Sequence, residues 1–356
     1  MLQYLDRHEC SLFGGTRGLF GWTLKRRGFE GAATAGSDKS NRMNPSGRLC
    51  RGGGCGQVGP RRVGSGEWSE RLTRGEWMML TPEQIREFDE QGFVKGPVVL
   101  DQGQVEKLRS ELDAVMEGRS VRPPVLNRNL LNGDQTYGMQ MSKTDTVVQI
   151  VNMWMASDAF LTHARNPVIC EEVAQLCRTD TLRIWHDQVQ YKPPVTGGPG
   201  GWHQDFPAWP VLQPPDLVSA WVALDDAVVE NGCMWMVPGS HRWGNQKGYI
   251  TRTPDYMPSH REPDRLPPGA RVEAVPFEIR KGQVGYHHCL TWHGSPPNRS
   301  TRKRRAIAVH YMPAHIRYEP AGSHVMRTFV EVQPGEILAG EHFPVVFRRD
   351  EVAARS

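Results

Sequence analysis

The chain has 356 residues, of which 38% are hydrophobic and 23% charged, so it can fold as one large domain or as two smaller ones. No stretch approaches the roughly 18 consecutive apolar residues of a membrane span, and no charged start followed by an apolar run marks a secretory signal, which disfavours membrane and secreted classes. The net charge of +4 comes from residues 1–77, which hold 13 Lys+Arg against 7 Asp+Glu. The rest of the chain holds 30 Lys+Arg against 32 Asp+Glu, so it predicts no nucleic-acid surface.

The cysteines give no sign of a disulfide framework. There are seven, an odd number, and they are scattered, which favours reduced thiols in a cytoplasmic protein. Cys50 and Cys55 have no second pair of metal ligands nearby, so a zinc knuckle is disfavoured there.

Residues 1–77 are predicted to be a disordered extension. They contain 16 of the 37 glycines and no sustained helical or strand periodicity, so they cannot bury enough apolar surface to offset their chain entropy. Their seven acidic residues argue against a mitochondrial transit peptide. Two interpretations stay open, a genuine tail or an upstream extension of a chain whose translation starts at Met78 or Met79. The folded domain is predicted over residues 78–356.

The first ordered element is predicted to be a helix that begins after Thr81. Thr81 is a suitable N-cap, Pro82 takes the first helical position, and Gln84 can close a capping box. Gly92 ends the helix, and the apolar run that follows predicts a strand over 94–100.

Two further helical stretches precede the main run of strands. In the second helix, which ends at Gly118, apolar residues recur at helical spacing, at Val105, Leu108, Leu112 and Val115. Residues 159–177 are also predicted to be helical, with a break at Pro167. Residues 119–150 follow no clear pattern.

From Thr181 onward, short strands separated by Gly and Pro dominate. They are predicted at 182–191, 217–224, 233–237, 272–279, 283–287 and 305–311. Helices first and strands after predict an α+β, mainly β, domain whose N-terminal helices brace one sheet of a β-sandwich or jelly roll. The polar, Pro-rich residues 251–270 predict a long loop, of the kind that forms lids or binding sites.

A candidate metal site follows a glycine-rich stretch. His203 and Asp205 are two residues apart, so in an extended strand their side chains point to the same face and can chelate one ion. His293 is the best candidate for a third ligand; of its neighbours His287 and His288, the latter is expected to hydrogen-bond inside the core. Two His and one carboxylate with open positions are typical of non-haem Fe(II) oxygenases.

Aromatic residues flank this pair in the sequence. Trp202, Phe206 and Trp209, together with Trp235, predict a moderately apolar entrance to a small-molecule site.

An iron site that splits O2 needs electrons, which a bidentate 2-oxo acid supplies on decarboxylation. The distal carboxylate of that acid needs a fixed cation, and a planar guanidinium suits it. Arg304 and Arg305 begin an alternating strand, so only one of them can face inward. The residues alone do not choose between the two.

Several segments, taken together in this order, resemble the phytanoyl-CoA dioxygenase family of Fe(II)/2-oxoglutarate oxygenases. They are Trp202-His203-Gln204-Asp205, Ala220-Trp221-Val222-Ala223-Leu224, Glu230-Asn231-Gly232-Cys233-Met234, Pro238-Gly239-Ser240-His241-Arg242 and Trp292-His293-Gly294-Ser295-Pro296-Pro297-Asn298. The resemblance excludes the glycine-rich N-terminal segment and extends to the C-terminus. It implies a double-stranded β-helix (jelly-roll, cupin-like) core that uses Fe(II), 2-oxoglutarate and O2.

The resemblance also implies the catalytic residues. His203, Asp205 and His293 would be the iron ligands, and Arg304 would hold the distal carboxylate of 2-oxoglutarate. Related halogenating enzymes carry a small residue in place of the carboxylate, so Asp205 predicts hydroxylation of a small molecule with release of succinate and CO2.

Three further cosubstrate contacts are implied in the same way. Ser295 would hydrogen-bond the distal carboxylate, Trp221 would pack on 2-oxoglutarate, and Gln188 would add a contact from the strand before the ligand pair. The substrate and the oligomeric state are not identified. No basic patch for a CoA diphosphate stands out beyond Lys192 and the cluster at 299–305.

Two alternatives from other classes stay open. A non-catalytic jelly-roll binding protein would be favoured by loss of a ligand or of the pocket arginine, and neither is lost. A cupin-like metalloenzyme that uses no 2-oxo acid would need no buried arginine near the metal. The direction of the Arg304 side chain therefore separates this alternative from a 2-oxoglutarate oxygenase.

Overall fold

The computed structural model describes residues 79–129, 135–136 and 146–350. The predicted extension of residues 1–77 and the Cys50–Cys55 pair lie outside these residues, so both stay predictions. The domain below belongs to the compact unit Val63–Ser356. No helix among the described residues is long and apolar enough to cross a bilayer.

The helices lie before the long strands, as predicted. They are α1 (Pro82–Gln91), α2 (Gln102–Met116), α3 (Met153–Ala156), α4 (Asp158–Ala164) and α5 (Pro167–Cys177). At α1 the Thr81 hydroxyl accepts from the Gln84 N–H while the Gln84 side chain accepts from the Thr81 N–H, which is the predicted capping box. Gly92 ends the helix at φ 83°, a left-handed conformation that favours glycine.

The strands form a larger and a smaller antiparallel sheet with two short pairs beside them. The strands are β1 (Phe93–Val98), β2 (Leu126–Asn129), β3 (Gln135–Thr136), β4 (Val148–Val151), β5 (Thr181–Lys192), β6 (Gly200–His203), β7 (Leu212–Gln213), β8 (Val218–Ala223), β9 (Met234–Met236), β10 (Ile250–Arg252), β11 (Pro258–His260), β12 (Val275–Phe277), β13 (Gln283–His288), β14 (His293–Ser295), β15 (Arg304–Pro313), β16 (Arg317–Tyr318) and β17 (Val345–Arg348). The major sheet runs β1-β13-β8-β15-β5-β4-β2-β3, with β17 also paired to β5, and the minor sheet runs β12-β9-β14-β6. The predicted α+β, mainly β, jelly-roll fold is confirmed.

The two faces of the major sheet follow from the alternation of β15. Ile307, Val309 and Tyr311 pack with helix residues such as Phe160 in the largest hydrophobic cluster. The alternate positions, among them Ala306 and Ala308, belong to a separate cluster with strands of the minor sheet. The helices therefore cover one face of the sheet, and the other face is left for a cavity between the two sheets.

The prediction of one unstructured loop over 251–270 is wrong in part. β10 and β11 pair within it as a short hairpin, with register Ile250↔His260. Apolar residues of this segment, among them Tyr256, pack against the small hydrophobic cluster that contains Trp202 and Trp292. Propensity alone missed this hairpin because its strands are only three residues long and Pro258 begins one of them.

Candidate active site

Two imidazoles meet across paired strands of the minor sheet. His203 ends β6, His293 begins β14, and the two residues are register partners whose ring centroids lie 4.2 Å apart. Each Nδ1 contacts a backbone carbonyl, at 2.7 Å for His203 with Gly201 and at 2.9 Å for His293 with Thr291. Because a carbonyl only accepts, each Nδ1–H donates and each Nε2 keeps a free lone pair. Both rings are thus fixed in the tautomer that ligates metal through Nε2.

Asp205 completes the set. Its Oδ1 lies 3.6 Å from the Nε2 atoms of both His203 and His293, and the three ligand atoms lie within 4.8 Å of one another. Across the described part of the chain, this is the one group of three His, Cys, Asp or Glu side chains that can hold a metal ion. The structure brings together all three predicted ligands.

The second oxygen of Asp205 is held by the major sheet. The Ser219 hydroxyl lies 3.1 Å and His287 Nε2 lies 3.0 Å from Oδ2. Oδ1 is therefore left for a cation while Oδ2 fixes the orientation of the carboxylate. Burial alone would raise the pKa of Asp205, but the His293 imidazole beside it and the hydrogen bond from His287 Nε2 hold it well below its usual value. The group is an anion and suits a divalent metal.

Burial also sets the charge of the buried ligand histidine. The apolar surroundings lower the pKa of His293 to about 3, so the imidazole is neutral at physiological pH. Neutral imidazole is the form that binds metal. The donor set of two imidazoles and one carboxylate therefore fits Fe(II).

His287 and Ser219 are functional residues that sequence reasoning did not assign. Of the three histidines between 287 and 293, His287 faces the cavity side of β13 and binds Asp205, whereas His288 accepts from the Leu290 N–H at 3.1 Å. The signal was the alternation of β13, because Tyr286 on the other face packs with the helix side. Gly294 lies inside β14, where a Cβ would come within 2.9 Å of the Trp202 indole.

The structure answers which arginine faces inward. Arg304 is 1% exposed, and neither its Nε nor its Nη1 has a hydrogen-bond partner among the described residues. Arg305 points to the other face, where its Nε donates to Asp225 at 2.8 Å and its Nη2 at 2.9 Å. Burial lowers the pKa of Arg304 to about 10, so the guanidinium stays charged. A buried, charged and unpaired guanidinium is expensive unless an anion fills its site.

A cavity of about 720 Å³ joins the ligand triad to this guanidinium. Arg304, Ser295 and Gln188 all line it, as expected of cosubstrate contacts. Trp221 is not among the lining residues; it lies behind Arg304, with the guanidinium carbon 5.8 Å from its ring centroid. Its predicted contact with 2-oxoglutarate stays a prediction, as do the roles of the other three.

Other expected contacts are distributed differently. Trp202 and Trp209 line the cavity, whereas Phe206 and Trp235 are absent from its lining. Lys192 is wholly buried, and its Nζ donates to the Ser295 carbonyl at 3.1 Å and to the Pro296 carbonyl at 2.5 Å. Lys192 therefore cannot serve a CoA diphosphate, and that possibility is wrong. It braces the strand end that carries Ser295.

Comparisons with known proteins agree with this geometry. The family model "Phytanoyl-CoA dioxygenase (PhyH)" matches residues 88–306, more than half of the chain. A probable alpha-ketoglutarate-dependent hypophosphite dioxygenase of Stutzerimonas stutzeri is 26% identical over 65% of this chain and 78% of its own length. The peroxisomal phytanoyl-CoA dioxygenase of Rattus norvegicus is 24% identical over 67% of this chain and 70% of its own.

A solved structure shares the fold. The non-heme alpha ketoglutarate dependent carbocyclase SnoK from nogalamycin biosynthesis superposes with a TM-score of 0.58 at 27% identity, covering 75% of this chain and 96% of that one.

Proposed function

This chain belongs to the phytanoyl-CoA dioxygenase family, and from that premise we propose that His203, Asp205 and His293 hold Fe(II) while Arg304 holds the distal carboxylate of 2-oxoglutarate. The observation that carries the proposal is the pairing of the ligand triad with a buried, unpaired guanidinium in one cavity. A metalloenzyme that used no 2-oxo acid would gain nothing from that buried charge. The inward direction of Arg304 therefore disfavours the cupin-like alternative.

The chain is an Fe(II)- and 2-oxoglutarate-dependent dioxygenase that acts on a small molecule. Bound Fe(II) and 2-oxoglutarate supply the activation of O2, in which 2-oxoglutarate is converted to succinate and CO2. A non-catalytic binding protein is not supported, because all three metal-ligating side chains are present. The family model and the enzyme relatives also match the chain.

The residues of the cavity divide the remaining work. His203 and His293 present Nε2 lone pairs to the metal, and their Nδ1–H bonds to carbonyls keep the rings from turning. Asp205 adds a negative charge whose direction Ser219 and His287 fix. The Arg304 guanidinium can form a two-point, charge-assisted contact with a carboxylate, which orients the cosubstrate along the cavity.

Water exclusion follows from what surrounds this site. The cavity walls include Val147, Val151 and Val325, which offer the substrate an apolar surface beside the triad. Because Asp205 fills the carboxylate position of the triad, no small residue leaves room for a halide there. Both features support hydroxylation of a carbon–hydrogen bond as the outcome of the reaction.

The test compares wild type with Asp205→Ala in succinate release from 2-oxoglutarate, with Fe(II), across a metabolite panel. Wild type is expected to release succinate slowly without a substrate and faster with the right one, and Asp205→Ala only at the rate of a protein-free control. Asp216→Ala is the matched control, because Asp216 is a half-exposed carboxylate paired with His315 outside the cavity lining. Equal activity of wild type and Asp205→Ala, or silence of both with iron demonstrably bound, would overturn the proposal.

A further inference from the structure

A second group of histidines lies beside the triad and has no part in holding the metal. His186 on β5 lines the cavity, and its ring centroid lies 4.6 Å from that of His310 on β15. They are 3% and 1% exposed, and the Nε2 atoms of both lack a hydrogen-bond partner among the residues described. Unpartnered buried polar atoms are rare, and each one needs an explanation.

The hydrogen bonds of Ser219 determine the tautomer of His310. The Ser219 hydroxyl contacts both Asp205 Oδ2, at 3.1 Å, and His310 Nδ1, at 2.7 Å. A serine has one hydrogen, and the carboxylate can only accept, so Ser219 donates to Asp205. His310 Nδ1–H must then donate to the Ser219 oxygen. With its hydrogen on Nδ1, the ring leaves Nε2 as an acceptor.

The backbone determines the tautomer of His186 in the same way. Its Nδ1 lies 3.3 Å from the Asp187 carbonyl oxygen, which only accepts, so Nδ1 carries the hydrogen. Burial holds the pKa of His186 well below its usual value, so this ring is neutral. Its Nε2 is therefore an acceptor too. Neither ring can donate to the other, which explains why the two neighbouring acceptors stay unpaired within the described residues.

The surroundings decide which donor would fill this site. Trp209 packs edge-on against both rings, at 5.7 Å from His186 and 4.8 Å from His310, and His324 lies 5.4 Å from His186. Asp205 is the one carboxylate in the cavity lining that the described residues provide, and it is committed to the triad. An ammonium group would lack a counter-charge here, whereas an uncharged hydroxyl needs only an acceptor.

We propose that the cavity wall formed by His186, whose buried Nε2 has no partner among the described residues, with His310 behind it, binds a hydroxyl group of the substrate, so that the enzyme acts on an alcohol-bearing molecule. The assignment rests on the proposed function for the identity of the substrate site, but not on the metal for the hydrogen bond. A site built to bond a hydroxyl rejects the analogue that lacks it, because the buried acceptor is then left unpaired. His186 is thus a specificity residue.

The first test reads the tautomer directly. Nitrogen-15 NMR of the full chain with labelled histidine, with His186→Phe to assign the signal, is expected to show a neutral Nδ1–H ring at pH 7 and an unprotonated Nε2. A charged ring, or a hydrogen on Nε2, would remove the acceptor and overturn the inference.

The second test measures the donor preference with fragments that fit a cavity of about 720 Å³. Binding of cyclohexanol, its methyl ether and cyclohexylammonium is followed by ligand-observed NMR in the protein loaded with Fe(II) and 2-oxoglutarate without O2. We expect cyclohexanol to bind about tenfold more tightly than the ether, which accepts but cannot donate. Equal binding of the two, tighter binding of the ammonium, or no binding of the alcohol would contradict the proposal.

Two variants test whether His186 causes the preference for the alcohol over the ether. His186→Phe keeps the ring and its stacking but removes the acceptor, so the alcohol and the ether should bind alike. His186→Gln supplies an amide oxygen near the position of Nε2, so it should recover part of the preference. Repeating the wild-type comparison in metal-free protein separates this inference from the iron assignment: a preference that persists without metal supports the subsite even if Asp205→Ala were to retain activity.

Discussion

Buried arginines on the two faces of the major sheet differ in whether they have a partner. On the side away from the cavity, Arg305 forms a two-point ion pair with Asp225, and Arg109 donates to the same carboxylate at 2.5 Å. On the cavity side, the adjacent Arg304 has two nitrogens without partners among the described residues. One residue step along β15 separates a satisfied cation from an unsatisfied one.

The difference tells structural polar groups from ligand-binding ones. A buried charge without a partner lowers the stability of the fold, since it has lost its water and gained nothing in return. Such a group persists when a ligand completes it, as an organic acid would complete Arg304 and a hydroxyl would complete His186. Paired groups such as Arg305 stabilise the chain itself. The contrast predicts opposite outcomes for similar substitutions on the two faces.

The largest effect is expected from truncating the two arginines. Arg304→Met should weaken 2-oxoglutarate binding by roughly 100-fold, because a two-point charged contact is lost. The free energy of unfolding of this variant without ligand should rise or stay level. Arg305→Met should leave 2-oxoglutarate binding unchanged. It should lower the free energy of unfolding by about 1–3 kcal/mol, because Asp225 loses a partner. Calorimetric titration with 2-oxoglutarate and urea unfolding of both variants give the comparison.

The two variants control for each other, since both remove a guanidinium from neighbouring positions of one strand. If Arg304→Met destabilised the ligand-free protein as much as Arg305→Met and left 2-oxoglutarate binding intact, Arg304 would be a structural residue. The proposed cosubstrate site would then be wrong.

A smaller effect is expected from the residue that orients Asp205. His287→Phe removes the hydrogen bond to Asp205 Oδ2, and Fe(II) affinity should fall by about 10- to 100-fold, as is typical when the partner of a metal ligand is lost. The neighbouring Tyr286→Phe acts on the helix face and should leave Fe(II) affinity unchanged. Metal titration of both variants measures the difference, and an equal loss in both would mean that general destabilisation, not orientation, explains the effect.

Much of this arrangement was predictable from the sequence, and the parts that were not share a cause. The ligand pair was predicted from two-residue spacing in a strand, but β6 ends at His203, and Asp205 lies beyond it with helical backbone angles, so a turn rather than strand alternation sets its direction. The capped helix α1 followed from Thr81 and Gln84. Which of Arg304 and Arg305 faces inward depended on the register of β15 between β5 and β8, a long-range property that alternation alone leaves open.

The partners of Asp205 were missed for the same reason. Ser219 and His287 come from β8 and β13, and they meet Asp205 only once two sheets are stacked. The acceptor pair of His186 and His310 likewise depends on β5 lying beside β15. Local patterns therefore locate the strands, and tertiary pairing selects which of their polar residues act together.

A pH-dependent effect is expected from a carboxyl on the helix side. Glu172 of α5 accepts a hydrogen bond from the Tyr286 hydroxyl, and burial, opposed by that bond, raises the pKa of Glu172 from 4.5 to about 8. The folded chain therefore keeps a proton that the unfolded chain releases, and the stability that this gives is lost as pH rises from about 4.5 through 8. The slope approaches about 1.4 kcal/mol per pH unit.

Glu172→Gln keeps an oxygen that can accept from Tyr286 but has no proton to titrate. Urea unfolding of metal-free protein at pH 5, 6, 7 and 8 should therefore show the variant gaining stability relative to wild type as pH rises. Metal-free protein is needed because metal binding is itself pH-dependent. Asp187, whose pKa burial raises to about 8, is present in both proteins and cancels in the difference. Parallel stability curves would mean that Glu172 is ionised in the folded chain. The helix side would then also hold an unsatisfied charge, and the contrast between the two faces would fail.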